Sequence, residues 1–134
     1  MCGIFGQISK NNINKEKFDT LVKHSMQRGV DSSGLIYFDG YAYQIKRADY
    51  NIEKLLKEVK PYESSVVFGH SRLITNGLSD NQPVVRDDIC VIHNGIIVNE
   101  ADVWKNLDVD RRYKIDSEAI VAIAEVHIRD GGEL

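Results

Sequence analysis

The sequence is sparing with the residues that build special architectures. In 134 residues it has two cysteines, two prolines and one tryptophan. Cys2 and Cys90 are too few and too far apart for a disulfide framework or a zinc knuckle, which points to a reducing, cytoplasmic setting. Pro61 and Pro83 leave no Pro-rich linker, and no internal repeat or low-complexity tract is present. Long hydrophobic runs are missing: residues 65–68 and 89–92 are strand-sized, far short of the roughly 20 apolar residues that cross a bilayer. The N-terminus lacks the basic-then-apolar pattern of a signal peptide. There is no excess of positive charge either, because 17 Lys+Arg stand against 20 Asp+Glu for a net charge of −3. Without a basic face to release counterions from phosphate, a nucleic-acid partner is not expected. His24, His70, His93 and His127 show no metal-ligand spacing, and nothing implies a metal or an organic cofactor.

What is present is an ordinary globular composition, 43% apolar and 28% charged. The length suits one domain, which buries about two-thirds of its unfolded surface. Residues 3–9 read as a strand, followed by a turn cluster at 11–14. Phe18, Leu21, Val22 and Met26 give helical spacing over 15–27. The polar stretch 28–33 reads as a loop, and Asp39-Gly40 as a hairpin turn between strands 34–38 and 41–45. Ile52, Leu55, Leu56 and Val59 predict a short helix over 51–59. Residues 65–69 read as a buried strand, 70–82 as a long polar loop, and 84–85, 89–92 and 96–98 as strands. A last helix is expected over 116–129, with Ile120, Ile123 and Ala124 on its apolar face. Asp116 or Ser117 would cap it, and Gly131-Gly132 would end it. The order β-α-β-β-α-β-β-α predicts a mixed α/β or α+β domain on a largely antiparallel sheet.

Chemistry concentrates at the second residue. Cys2 is small enough for aminopeptidase removal of Met1, which would give one residue both a thiol and a free α-amine. The reference pKa values are about 8.5 and about 7.7–8.0, so the amine is a suitable general base for its own thiol. A chance Met-Cys start with a buried thiol is the plainer alternative. Arg72, following a buried strand in His70-Ser71-Arg72, has the fork geometry to bind a carboxylate, or is an ordinary surface arginine. His93-Asn94-Gly95 interrupts two apolar runs and offers a side-chain amide and a backbone N–H, an oxyanion hole in outline, or else a tight turn. Asp116 either caps the last helix or faces a substrate ammonium group.

Six segments in order carry a resemblance. They are Cys2-Gly3-Ile4-Phe5-Gly6, then Gln27-Arg28-Gly29-Val30-Asp31-Ser32-Ser33-Gly34, then Gly69-His70-Ser71-Arg72 with Thr75-Asn76-Gly77. Gln82-Pro83, His93-Asn94-Gly95-Ile96-Ile97 and Asp116-Ser117-Glu118 complete the set. Across nearly its whole length the sequence resembles the class II glutamine amidotransferase (N-terminal-nucleophile glutaminase) domain. Residues 93–99 look most like the glucosamine-6-phosphate synthase branch, with amidophosphoribosyltransferase-like and asparagine synthetase-like branches left open.

The resemblance implies an α+β fold, the αββα sandwich of N-terminal-nucleophile hydrolases. It also implies one domain over 1–134 that stops before the family's closing strands. It implies that Cys2 attacks the side-chain amide of L-glutamine, giving glutamate through a thioester and ammonia for a synthase domain or subunit. Asn94 and Gly95 would hold the oxyanion, Arg72 the α-carboxylate and Asp116 the α-ammonium. Thr75 and Asn76 would line the pocket, and Arg28 with Asp31 would shape the loop around the nucleophile. His70 and His93 are expected to pack or to bond a loop, and Cys90 to sit in the core. One departure from sugar-aminating members is Leu73-Ile74-Thr75, where an aromatic usually follows the arginine. An apolar face left open by absent strands would favour self-association or a partner chain. The readings that compete with the enzyme are a non-catalytic glutamine-binding or regulatory module of the same fold, and an α/β domain without glutamine chemistry.

Overall fold

Two sheets and two groups of helices organise the chain in a computed structural model that describes residues 2–73 and 81–134. The larger sheet has the order β1-β4-β2-β3, all antiparallel, built from β1 (Gly3–Ile8), β2 (Ser32–Phe38), β3 (Tyr43–Ala48) and β4 (Val66–Arg72). The smaller pairs β5 (Val84–Arg86) with β6 (Ile89–Val91). Helix α1 (Lys15–Met26) packs on β1 and β4, and α2 (Ile52–Val59) packs on β2. Helix α4 (Glu118–Arg129) lies on β5 and β6, with the short α3 (Glu100–Lys105) beside it. No helix among the described residues is long and apolar enough to cross a membrane.

Local chemistry accounts for these elements. Asn14 Oδ1 accepts from Lys17 N at 2.9 Å and Asn51 Oδ1 from Lys54 N at 3.0 Å, so α1 and α2 each start on an asparagine cap. In the hairpin, Asp39 Oδ1 accepts from the amides of Tyr41 and Ala42, both at 2.9 Å, and Gly40 takes φ +99°. Phe5, Phe18, Val22, Leu35, Ile52, Leu55, Leu56 and Val67 form one buried cluster between the larger sheet and its helices. Phe5 meets Phe18 edge-on at 5.5 Å. Because strand side chains alternate, Ile4, Ile8 and Phe68 point to the opposite face of the sheet, where they are exposed.

Four expectations are corrected. The loop predicted from residue 70 begins later: β4 runs through Arg72, so His70, Ser71 and Arg72 are strand residues paired with β2. Residues 96–98 form no strand, and Ile96 and Val98 lie exposed. The six-residue α3 follows them, too short to show a period. The last helix begins at Glu118, and neither Asp116 nor Ser117 caps it with a side chain, since the Asp116 carboxylate accepts from Ile97 N at 2.8 Å instead.

Its buried face is also different. Glu118, Ala119, Val121 and Ala122 are buried, whereas Ile123 is exposed. The reason is electrostatic: Arg86 of β5 draws both Glu118 and Glu125 inward. Arg86 Nη1 lies 2.5 Å from Glu118 Oε1 and also donates to Asp110 O at 2.8 Å. Glu118 further accepts from the amides of Arg112 and Tyr113 at 2.8 and 2.7 Å. With both oxygens hydrogen-bonded, a carboxylate takes a position that a hydrophobicity pattern assigns to an aliphatic residue.

Candidate active site

The nucleophile candidate sits where β1 begins. Gly3 pairs with Ser71 and Ser32 with Arg72, so continuing the register by one residue sets Cys2 beside Arg72. Position 3 is closed to any side chain, because a Cβ there would stand 2.2 Å from Ser25 O at the end of α1. Ser25 Oγ and Ser71 Oγ, 2.8 Å apart and buried, tie that helix end to β4. Across the chain, Cys2 N donates to Asn94 Oδ1 at 3.0 Å. Burial pushes the half-buried Cys2 thiol up from its ordinary pKa; the positive charge of Arg72 pulls it down and the Asp116 carboxylate adds to the rise. Cys2, Arg72, Asn94 and Asp116 therefore share one neighbourhood.

The loop 28–31 wraps the same strand end. Asp31 N donates to Arg72 O at 3.0 Å, and a Cβ on Gly29 would stand 2.2 Å from Leu73 N. Arg28 is exposed on this loop, its amide bonded to Ser25 O at 3.0 Å, and among the described residues its guanidinium makes no hydrogen bond or ion pair. Thr75 and Asn76 lie outside the described residues. Gly95 is exposed beside Asn94, and a Cβ there would stand 2.6 Å from His93 Nε2. The glycine leaves room for the end of the His93 ring over this turn.

Gln82, His70, His93 and Ser117 bond to one another around the site. Gln82 O lies 2.8 Å from His70 Nε2, and His93 Nδ1 lies 3.1 Å from Ser117 Oγ. The Gln82 side chain bonds the backbone of His93 at both its N–H and its C=O. His70 is fully buried, which pushes its pKa down to about 4. In the sequence Gln82 stands out only as part of a motif and Ser117 as a motif residue and candidate cap; a buried amide on a loop gives no periodic signal. Cys90 is half-buried on β6 rather than sealed in a core. No group of three or more His, Cys, Asp or Glu among the described residues is arranged to hold a metal ion.

No protein-family model matches the chain. Over 140 residues the chain is 31% identical to the glutamine–fructose-6-phosphate aminotransferase [isomerizing] of Agrobacterium fabrum, covering 98% of this chain and 23% of that protein. The enzyme of the same name from Campylobacter jejuni is 31% identical over 141 residues, with the same coverage. The chain thus spans about a quarter of the length of the relatives it matches. In fold, all of it superimposes on 30% of a glutamine phosphoribosylpyrophosphate amidotransferase from B. subtilis, with a TM-score of 0.73 at 20% identity. By sequence along nearly its whole length the chain is similar to part of glutamine–fructose-6-phosphate aminotransferases, and it shares a mixed α/β fold with an amidotransferase of known structure, consistent with a class II glutamine amidotransferase domain.

Proposed function

We propose that this chain, over 1–134 as one domain, hydrolyses glutamine to glutamate and ammonia through a thioester on Cys2. The observation that carries this reading is the 3.0 Å hydrogen bond from Cys2 N to Asn94 Oδ1. Once Met1 is removed, that nitrogen is the α-amine, the general base for the adjacent thiol. Its bond to Oδ1 orients the Asn94 amide, so that the opposite NH2 faces outward as a donor to an oxyanion. The raised thiol pKa suits the scheme, since a protonated thiol hands its proton to the amine as it attacks the carbonyl carbon. The amine then gives the proton to departing ammonia, and water releases glutamate from the thioester by the reverse path.

Arg72 would hold the α-carboxylate by two parallel hydrogen bonds and Asp116 the α-ammonium. Both charges already act on the Cys2 thiol. Thr75, Asn76 and Arg28 complete the pocket in this reading, with Arg28 at its rim. Ammonia passes to a synthase domain or subunit; the names of the relatives support an aminotransferase as the acceptor class. The exposed Ile4, Ile8 and Phe68 support a partner chain or a second copy on that face of the sheet. Glutaminase assay of the processed protein, with glutamate and ammonia measured in equal amounts, tests the reading; wild-type protein that binds glutamine without turnover would favour a non-catalytic glutamine-binding or regulatory module.

A further inference from the structure

The turn that carries Asn94 has little of its own to hold it. Asn94, Gly95 and Ile96 are all exposed and lie outside helix and strand. Donors of an oxyanion hole must nevertheless be fixed to within about 0.5 Å. The rigidity comes from the residue before the turn and the residue after it. His93 N donates to Gln82 Oε1 at 2.7 Å, and Gln82 Nε2 donates to His93 O at 3.0 Å. One side-chain amide thereby supplies the two-point pairing that a neighbouring strand would offer. Gln82 is 3% exposed, so water does not replace those bonds if they are lost. Its own backbone is fixed against His70 Nε2, and a Cβ on Gly34 would stand 1.8 Å from Gln82 O.

The second anchor connects to the first. Gln82 Nε2 reaches Ser117 Oγ at 3.4 Å, and Ser117 Oγ donates to Asp116 Oδ1 at 3.3 Å. Asp116 Oδ2 accepts from Ile97 N at 2.8 Å. The backbone amides of His93 and Ile97 thus bracket Asn94-Gly95, and a single chain of hydrogen bonds from Gln82 through Ser117 to Asp116 holds both.

We propose that Gln82 is a positioning residue for glutamine hydrolysis. Through the His93 backbone it fixes the Asn94 and Gly95 donors where the oxyanion forms, and through Ser117 it keeps that turn in register with Asp116. This rests on the roles given above to Asn94 and Gly95. Gln82 touches neither nucleophile nor substrate in this scheme, so its loss acts on the transition state through geometry.

The test compares the wild-type full chain with Gln82→Met, which keeps the volume but neither hydrogen bond, and with Ser117→Ala. Gln82→Met is expected to lower kcat roughly ten- to a hundredfold with KM changed by less than about threefold. Amide hydrogen exchange read by NMR is expected to quicken at least about tenfold at His93, while amides of α1 and β4 keep wild-type rates. Unchanged exchange at His93, unchanged kcat, or a loss confined to KM overturns the proposal. If Gln82→Met fails to fold, Ser117→Ala decides: faster exchange at Ile97 supports the hydrogen-bond chain, and unchanged exchange there overturns it. A wild-type chain with no glutaminase activity instead removes the functional reading, and exchange at His93 still reports whether Gln82 holds the turn.

Discussion

Cys2 N and Asn94 Oδ1, 92 residues apart in sequence, meet at 3.0 Å. The contact joins the first strand of the larger sheet to the turn that leaves the smaller one, so the two sheets must be docked before it exists. It also aligns two groups with different tasks, a nitrogen next to a thiol and an amide whose remaining hydrogens point elsewhere.

Cys2→Ala is expected to abolish glutamine hydrolysis while thermal unfolding stays within a few degrees of wild type, because the half-buried thiol contributes little packing. Activity equal to wild type would remove Cys2 as the nucleophile.

Asn94→Ala should lower kcat by roughly 10²–10³ with KM nearly unchanged, the usual loss for one oxyanion donor. A change confined to KM would reassign Asn94 to ground-state binding. Arg72→Ala should give the opposite pattern, weakening glutamine binding more than turnover. Steady-state kinetics of both variants side by side would expose an exchange of roles.

His70 carries a pH signature. Its pKa is about 4 in the fold and 6.5 as a free side chain, so between those values the unfolded chain takes up a proton that the folded chain refuses. Stability is therefore complete above about pH 6.5 and is lost as pH falls toward 4, by about 3 kcal/mol. Denaturant titrations at pH 7 and pH 4.5 should show this fall, and His70→Gln should lack part of it. A variant with the wild-type pH dependence would contradict the assignment.

Glu118→Ala leaves buried Arg86 without its fully buried carboxylate partner and should destabilise the chain by about 3–5 kcal/mol. Asp102→Ala, which breaks the exposed pair with Lys105, should cost less than about 1 kcal/mol. Urea midpoints of the two variants decide this, and equal shifts would mean that the buried pair adds no more than a surface one.

The sequence was most legible where one face of an element is apolar. The spacing of Phe18 and Val22, the cluster Ile52-Leu55-Leu56 and the Asp39-Gly40 turn all gave the right element, because burial and turn chemistry are local and periodic. It misled where charge is buried. Glu118 and Arg86 replace the aliphatic pattern of α4, and only the fold shows that they meet. It also misled at residues 96–98, whose apolar content suggests a strand but whose backbone is shaped by the Ile97–Asp116 bond. At the site, chemistry and motif pointed to Cys2, Asn94, Arg72 and Asp116, which the fold brings into one neighbourhood. Gln82 was given no role and Ser117 only that of a cap, because a side chain that bonds groups 11 or more positions away leaves no mark on composition or period.

The central claim is a free N-terminal cysteine in an assembled glutamine pocket. Intact mass of the purified protein, before and after incubation with a thiol-reactive glutamine analogue, tests it most directly. The account predicts a mass lacking Met1 and a single adduct on Cys2 that excess glutamine prevents. A mass lacking Met1 with no adduct on Cys2 would contradict it.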